Sequence, residues 1–103
     1  MKKIVENYSD SSRWYRKYED NFIEQGGTII TTVSVGGSYT LTFPISFTSA
    51  PINIRTTVYR PRNGDSAGSA LTLKTDTLTS TEATFMNDGS NAKAGFYWEA
   101  CGY

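Results

Sequence analysis

Histidine is absent from this chain and cysteine occurs once, at Cys101. A single thiol cannot close an intrachain disulfide, and without histidine there is no ligand set for a four-coordinate structural zinc. The fold must rest on packing. Lack of histidine also removes the usual general base for a serine or cysteine nucleophile, which argues against hydrolase chemistry of that kind. Net charge is missing too, because ten Lys plus Arg balance ten Asp plus Glu. No overall field draws the chain to nucleic acid or an anionic membrane, so neither is expected as a partner. No apolar run approaches the roughly 20 residues that span a bilayer. The stretch behind Lys2-Lys3 is likewise too short for the apolar core of a signal peptide. No cofactor and no metal are expected.

What is present is β-sheet material. At 103 residues the chain reads as one domain, 1–103, able to bury roughly two-thirds of its unfolded surface. Ile4 to Tyr8, Trp14 to Tyr18 and Phe22 to Gln25 read as a three-stranded meander. Asp20-Asn21 would form a two-residue turn, because both tolerate positive φ. That register sets Lys17 opposite Glu24 as a cross-strand ion pair and Arg16 opposite Gln25. Gly26-Gly27 is expected to break the strand. Thr28 to Val35 and Ser38 to Phe43, joined at Gly36-Gly37, form the clearest hairpin, with Tyr39, Leu41 and Phe43 facing the core.

Pro44 to Pro51 carries prolines that cannot donate to a central ladder, so it reads as a crossover anchored by Ile45 and Phe47. Period two returns over Ile52 to Arg60, with Arg55 and Tyr59 on one face. Pro61 to Ser69 is a polar loop, and Ala70 to Thr75 and Thr79 to Met86 are further strands. Asn87 to Asn91 is a second loop. The last strand, Lys93 to Cys101, sets Phe96, Trp98 and Ala100 on one face and Tyr97 and Glu99 on the other. Roughly eight short strands with regular turns and no helical periodicity predict an all-β fold, a small antiparallel β-sandwich.

Candidate binding residues fall mostly on one strand end and the loops. Arg55, Arg60, Arg62, Asn63 and Asp65 offer forked donors and short acceptors suited to sugar hydroxyls and carboxylates, against the plainer reading of a solvated loop. Asn87, Asp88 and Asn91 form a second cluster, whose plainer reading is a turn. Aromatic rings can stack on sugars, but in a small sandwich they more often pack. Trp98, Phe96, Phe43 and Phe22 are therefore assigned to packing, and Tyr15 and Tyr59 are kept as platforms. Asp65 and Asp88 lack the dense alternating acids of a calcium loop. A glycosidase would need Glu6, Glu24 or Glu99 to pair, and the sequence itself brings no two of them together.

Several stretches resemble the C-terminal, distal-tip domain of bacteriophage and prophage tail fibres, the gp53-like group. They are Ile4-Val5-Glu6, Trp14 to Tyr18, Glu19 to Gly27 with its Glu24-Gln25-Gly26-Gly27, Phe43-Pro44 with Phe47, and the ending Trp98 to Tyr103. Where that family has Asp-Gly-Trp, this chain has Asp20-Asn21-Phe22, which keeps a turn-former and an aromatic. The resemblance implies a homotrimeric β-sandwich at a fibre tip, in a virion or prophage-encoded particle made in the bacterial cytoplasm. It implies non-enzymatic binding of a bacterial surface glycan or protein. The alternatives are a structural module that trimerises or caps the fibre and, ranked behind it, a glycan-processing enzyme. Binding residues in that family vary with the host, so none transfers.

Overall fold

A computed structural model describes residues 2–51, 53–58, 71–89 and 91–103. Over these the chain forms strands β1 (Ile4–Ser9), β2 (Arg13–Tyr18), β3 (Ile23–Ile29), β4 (Ser38–Thr42), β5 (Asn53–Val58), β6 (Thr72–Leu73), β7 (Glu82–Met86) and β8 (Phe96–Gly102), with a 3-10 turn at Thr75–Thr77. They make two antiparallel sheets, ordered β1-β2-β3-β8-β5 and β4-β7-β6. The fold is the expected all-β sandwich.

Alternation along the strands builds the core. On β8, Phe96, Trp98 and Ala100 are buried while Tyr97 and Glu99 are exposed, and on β4 Leu41 is buried between exposed Thr40 and Thr42. Phe85 of β7 meets Phe96 across the two sheets with ring centroids 5.6 Å apart, and Phe43 contacts both Trp98 and Phe47. Full burial of each such ring stabilises the fold by about 1.5–3 kcal/mol. The crossover after β4 is anchored as expected. Phe47 is buried and Ile45 is partly buried against the core.

Burial declines across the large sheet from β8 and β3, through half-exposed β2, to β1, all of whose residues are exposed. The β1–β2 ribbon therefore overhangs the smaller sheet. Its turn is tied by Asp10, whose carboxylate accepts from the Tyr8 hydroxyl at 2.7 Å and from the backbone N–H groups of Ser12 and Arg13 at 2.7 and 2.9 Å. These donors, Tyr8 foremost, hold the Asp10 carboxyl well below the usual carboxylate range.

Three local readings are corrected. Of Asp20 and Asn21, Asn21 alone takes positive φ, at 72°. The Asn21 N–H donates to the Tyr18 carbonyl and the Tyr18 N–H to the Phe22 carbonyl, which makes a three-residue loop with a bulge rather than a two-residue turn. The ladder moves by one residue. Arg16 faces Glu24 and Lys17 faces Ile23, so the ion pair forms from Arg16, with Nε 3.5 Å from the Glu24 carboxylate.

Gly26-Gly27 does not break β3. The strand runs through both glycines because each seats a tryptophan: a Cβ on Gly26 would lie 2.9 Å from the Trp14 indole nitrogen, and one on Gly27 3.0 Å from that of Trp98. Finally, the expected hairpin around Gly36-Gly37 keeps its turn but not its pairing. Gly36 has φ 75° and the Gly37 N–H donates to the Ser34 carbonyl, yet β4 pairs with β7, and Val33 bridges to Lys93. The β-branched run beyond Ile29 stands outside both sheets and leaves Ile30 81 % exposed.

Candidate functional site

The face of the large sheet turned away from the smaller one is built of cross-strand rows. Pairing of β2, β3, β8 and β5 aligns Trp14, Gly26, Glu99 and Arg55 in a central row. One flanking row holds Arg16, Glu24, Cys101 and Asn53, and the other holds Thr28, Tyr97 and Thr57. Period two fixes this arrangement: the partners of these residues on the opposite face are core groups such as Gln25, Trp98 and Ala100.

Two open recesses lie on this face. The first, about 330 Å³, runs between Trp14 and Tyr97 over Thr28 and is closed at one end by the Asp10–Ser12 turn. The second, about 220 Å³, lies beside Arg16, Glu24, Asn53 and Cys101. Trp14, Arg55 and Glu99 line both. Between them the Trp14 indole lies against Gly26, where a Cβ would be 2.9 Å from its ring nitrogen.

Among the described residues, each charge in these three rows has a partner. Arg55 Nη2 donates to a Glu99 carboxylate oxygen at 2.9 Å, an ion pair that raises the pKa of the guanidinium. Glu24 accepts from the Tyr18 hydroxyl at 2.5 Å as well as pairing with Arg16. Hydrogen bonding to Glu24 raises the pKa of that phenol. The Arg16 guanidinium lies 4.7 Å from the centre of the Trp14 ring. Side chains of Arg55 and Glu99 remain 71 % and 55 % exposed, so the pair stands as a donor and acceptor in water rather than as a buried strut. The described rows thus set donors beside acceptors, with Arg16 paired to Glu24 and Arg55 to Glu99.

The candidate residues read from the sequence are only partly gathered here. Arg55 is at the centre. Tyr59, Arg60, Arg62, Asn63 and Asp65 lie outside the described residues. Tyr15 points to the other face of the sheet, where it stacks on Tyr8 at 5.9 Å and its hydroxyl donates to Glu6. Asn87 is 1 % exposed and works inside the fold: its amide donates to the Val33 and Asn91 carbonyls and its Oδ1 accepts the Gly89 N–H. Asp88 and Asn91 are exposed, apart from the Arg55 face. Glu24 and Glu99, which the sequence alone left unconnected, line the same recess. Among the described residues no three acidic or sulfur ligands gather as a metal site would require.

Trp14, Arg16, Tyr97 and Glu99 were not picked out by sequence reasoning as one site. Their individual types carried a signal, aromatic or charged on an exposed strand position. Their convergence depends on the pairing of β2, β3, β8 and β5, which local pattern does not reveal.

A family model described as "Putative tail fiber protein gp53-like, C-terminal" matches residues 17–103. Among solved structures, a C-terminal fragment of the P. aeruginosa R2 pyocin fibre superimposes with a TM-score of 0.70 at 22% identity, covering 96% of this chain and 26% of that one. An N-truncated R1-type pyocin tail fibre gives 0.71 at 25% identity, covering 96% and 87%. A C-terminal fragment of the P. aeruginosa R1 pyocin fibre gives 0.72 at 22% identity, covering 95% and 28%. The chain thus spans about a quarter of the length of the larger fibre fragments. No protein of curated function matches it.

Proposed function

This chain belongs to the gp53-like tail fibre C-terminal family, and from that premise we propose that it is the receptor-binding tip of a phage or phage-like tail fibre. The outer face of the large sheet is its binding surface. One observation carries this reading: Trp14, Tyr97 and the ion-paired Arg55 and Glu99 converge on an open groove at the small end of the 300–1,000 Å³ range of ligand sites. Sugar hydroxyls donate and accept at short intervals, and this face offers both partners beside aromatic rings. A bacterial surface glycan fits that chemistry better than a protein epitope, which would need a larger dry core.

The module is a homotrimer in this reading. The overhanging β1–β2 ribbon, with exposed Ile4, Val5 and Tyr8, buries little within one copy and is suited to covering by a neighbour. Three weak sites per fibre, and several fibres per particle, then add by avidity. The domain spans 1–103 as one module, sits at the fibre end of a virion or phage-like particle, and is made in the bacterial cytoplasm. The loop residues Tyr59, Arg60, Arg62, Asn63 and Asp65, with Asp88 and Asn91, remain candidate contacts.

Catalysis is not part of this function. Glu24 and Glu99 share a recess, the one observation favouring glycan cleavage, yet each is engaged by a guanidinium in a groove open to water. Whole-cell binding by the purified chain tests the reading, with reducing-sugar release measured alongside. Binding without release is expected. Release abolished by Glu99→Gln would establish the enzyme instead, and a folded trimer that binds no cell would leave a structural cap.

A further inference from the structure

We propose that the two outer recesses are consecutive subsites for one glycan chain, which runs along the strands and crosses the row of Trp14, Glu99 and Arg55. The inference rests on the glycan-binding reading above and adds the length and direction of the ligand. Both recesses share those three side chains, so they are two sides of one ridge rather than separate sites. Same-face residues two apart on a strand are separated by about 7 Å, which sets the flanking rows about 13 Å apart. That distance spans more than a single pyranose ring.

Chemistry differs on the two sides. The first recess has the Tyr97 ring and the Thr28 and Thr57 side chains, suited to a ring laid flat with hydroxyls bonded at its edge. The second has Asn53 and Glu24, suited to hydroxyl bonding without stacking. At the ridge, the Arg55–Glu99 pair presents one donor fork and one acceptor to the linkage between rings. Its mutual neutralisation disfavours a phosphate or uronate there. Gly26 lets the Trp14 indole lie down against the sheet, which lowers the ridge at its aromatic end.

The test is an array of bacterial surface oligosaccharides graded from one to four sugars, followed by solution titration of the tightest series with the full chain. The expected result is affinity at least about tenfold higher for the disaccharide or trisaccharide than for its terminal monosaccharide. Tyr97→Ala and Asn53→Ala should each weaken the oligosaccharide by about tenfold, and only one of them should alter monosaccharide binding. Both positions are exposed, and Thr57→Ala and Asn53→Asp give a second variant on each side should a first one fail to fold by circular dichroism. Affinity independent of length, or one side insensitive to substitution in folded protein, overturns the two-subsite inference and leaves glycan binding intact. Binding to no oligosaccharide overturns both.

Discussion

Gln25 is the strongest single test of how this fold is held. It is fully buried on β3, and its side-chain amide closes a two-way bridge to the backbone of Ile45 on the crossover. Its Nε2 donates to the Ile45 carbonyl at 2.8 Å, and the Ile45 N–H donates to its Oε1 at 3.1 Å. Phe47 and Thr48 of the crossover donate to the Ser80 and Tyr103 carbonyls, while Ile45 precedes these ties, and the two side-chain bonds do for it what strand pairing does elsewhere. Gln25→Leu keeps the volume and strands both backbone groups. Each unsatisfied buried group costs about 1–3 kcal/mol, so the expected loss is about 2–6 kcal/mol. A chain of this length has on the order of 5–15 kcal/mol in total. Urea unfolding followed by tryptophan fluorescence would read it as a lower midpoint at similar slope.

A second substitution at the same site separates bonding from packing. Gln25→Glu keeps an acceptor for the Ile45 N–H but, once ionised, turns a carboxylate toward the Ile45 carbonyl in a buried place. Burial and that carbonyl should raise its folded-state pKa above the unfolded value near 4.3. An acid with a raised folded pKa adds stability below its unfolded pKa and loses it as pH rises through the folded one. The Glu variant is thus expected to be close to wild type at pH 4 and to weaken toward pH 7. A Leu variant within about 0.5 kcal/mol of wild type, or a Glu variant whose stability difference from wild type does not vary with pH, would refute the bridge.

Further substitutions bear on the strands and the groove. Gly26→Ala should destabilise by about 1–3 kcal/mol, because its Cβ would meet the Trp98 carbonyl oxygen at 2.6 Å and the Trp14 indole, and the backbone atom cannot move aside; thermal melting reads it. Asp10→Asn should flatten the acid limb of the stability profile. Asp10 has a depressed folded pKa, so its contribution is present above its unfolded pKa near 3.9 and is lost as pH falls below that, a change followed by urea midpoints between pH 5 and 2. Arg55→Ala should leave the urea midpoint nearly unchanged, since the pair with Glu99 is exposed, while ligand binding falls by about tenfold or more.

Much of the fold was legible because period two marks which side of a strand is buried. Phe96, Trp98 and Ala100 on β8, and Tyr39, Leu41 and Phe43 at β4, lie on the faces their alternation implied. Ile45 and Phe47 anchor the crossover as their proline-bounded setting required. Registers were less legible. One αL residue instead of two at Asn21 changed the loop length and moved Glu24 from Lys17 to Arg16. Glycine pairs misled in opposite ways. Gly26-Gly27 is strand because two tryptophans need the space, and Gly36-Gly37 turns the chain without pairing its flanks. Contacts distant in sequence, such as β4 with β7 and β3 with β8, leave no local pattern, and the groove is made of such contacts. Arg55 could be picked out from its own strand, whereas its setting among Trp14, Glu99 and Tyr97 required four strands in register.

The central claim is that the outer face of the large sheet reads the host surface. Binding of fluorescently labelled chain to a panel of bacterial strains tests it most directly when wild type is compared with the folded double variant Arg55→Ala, Glu99→Ala. The prediction is strain-selective binding by wild type that falls by about tenfold or more in the variant. Equal binding by the two proteins would contradict it and move recognition to another surface of the molecule.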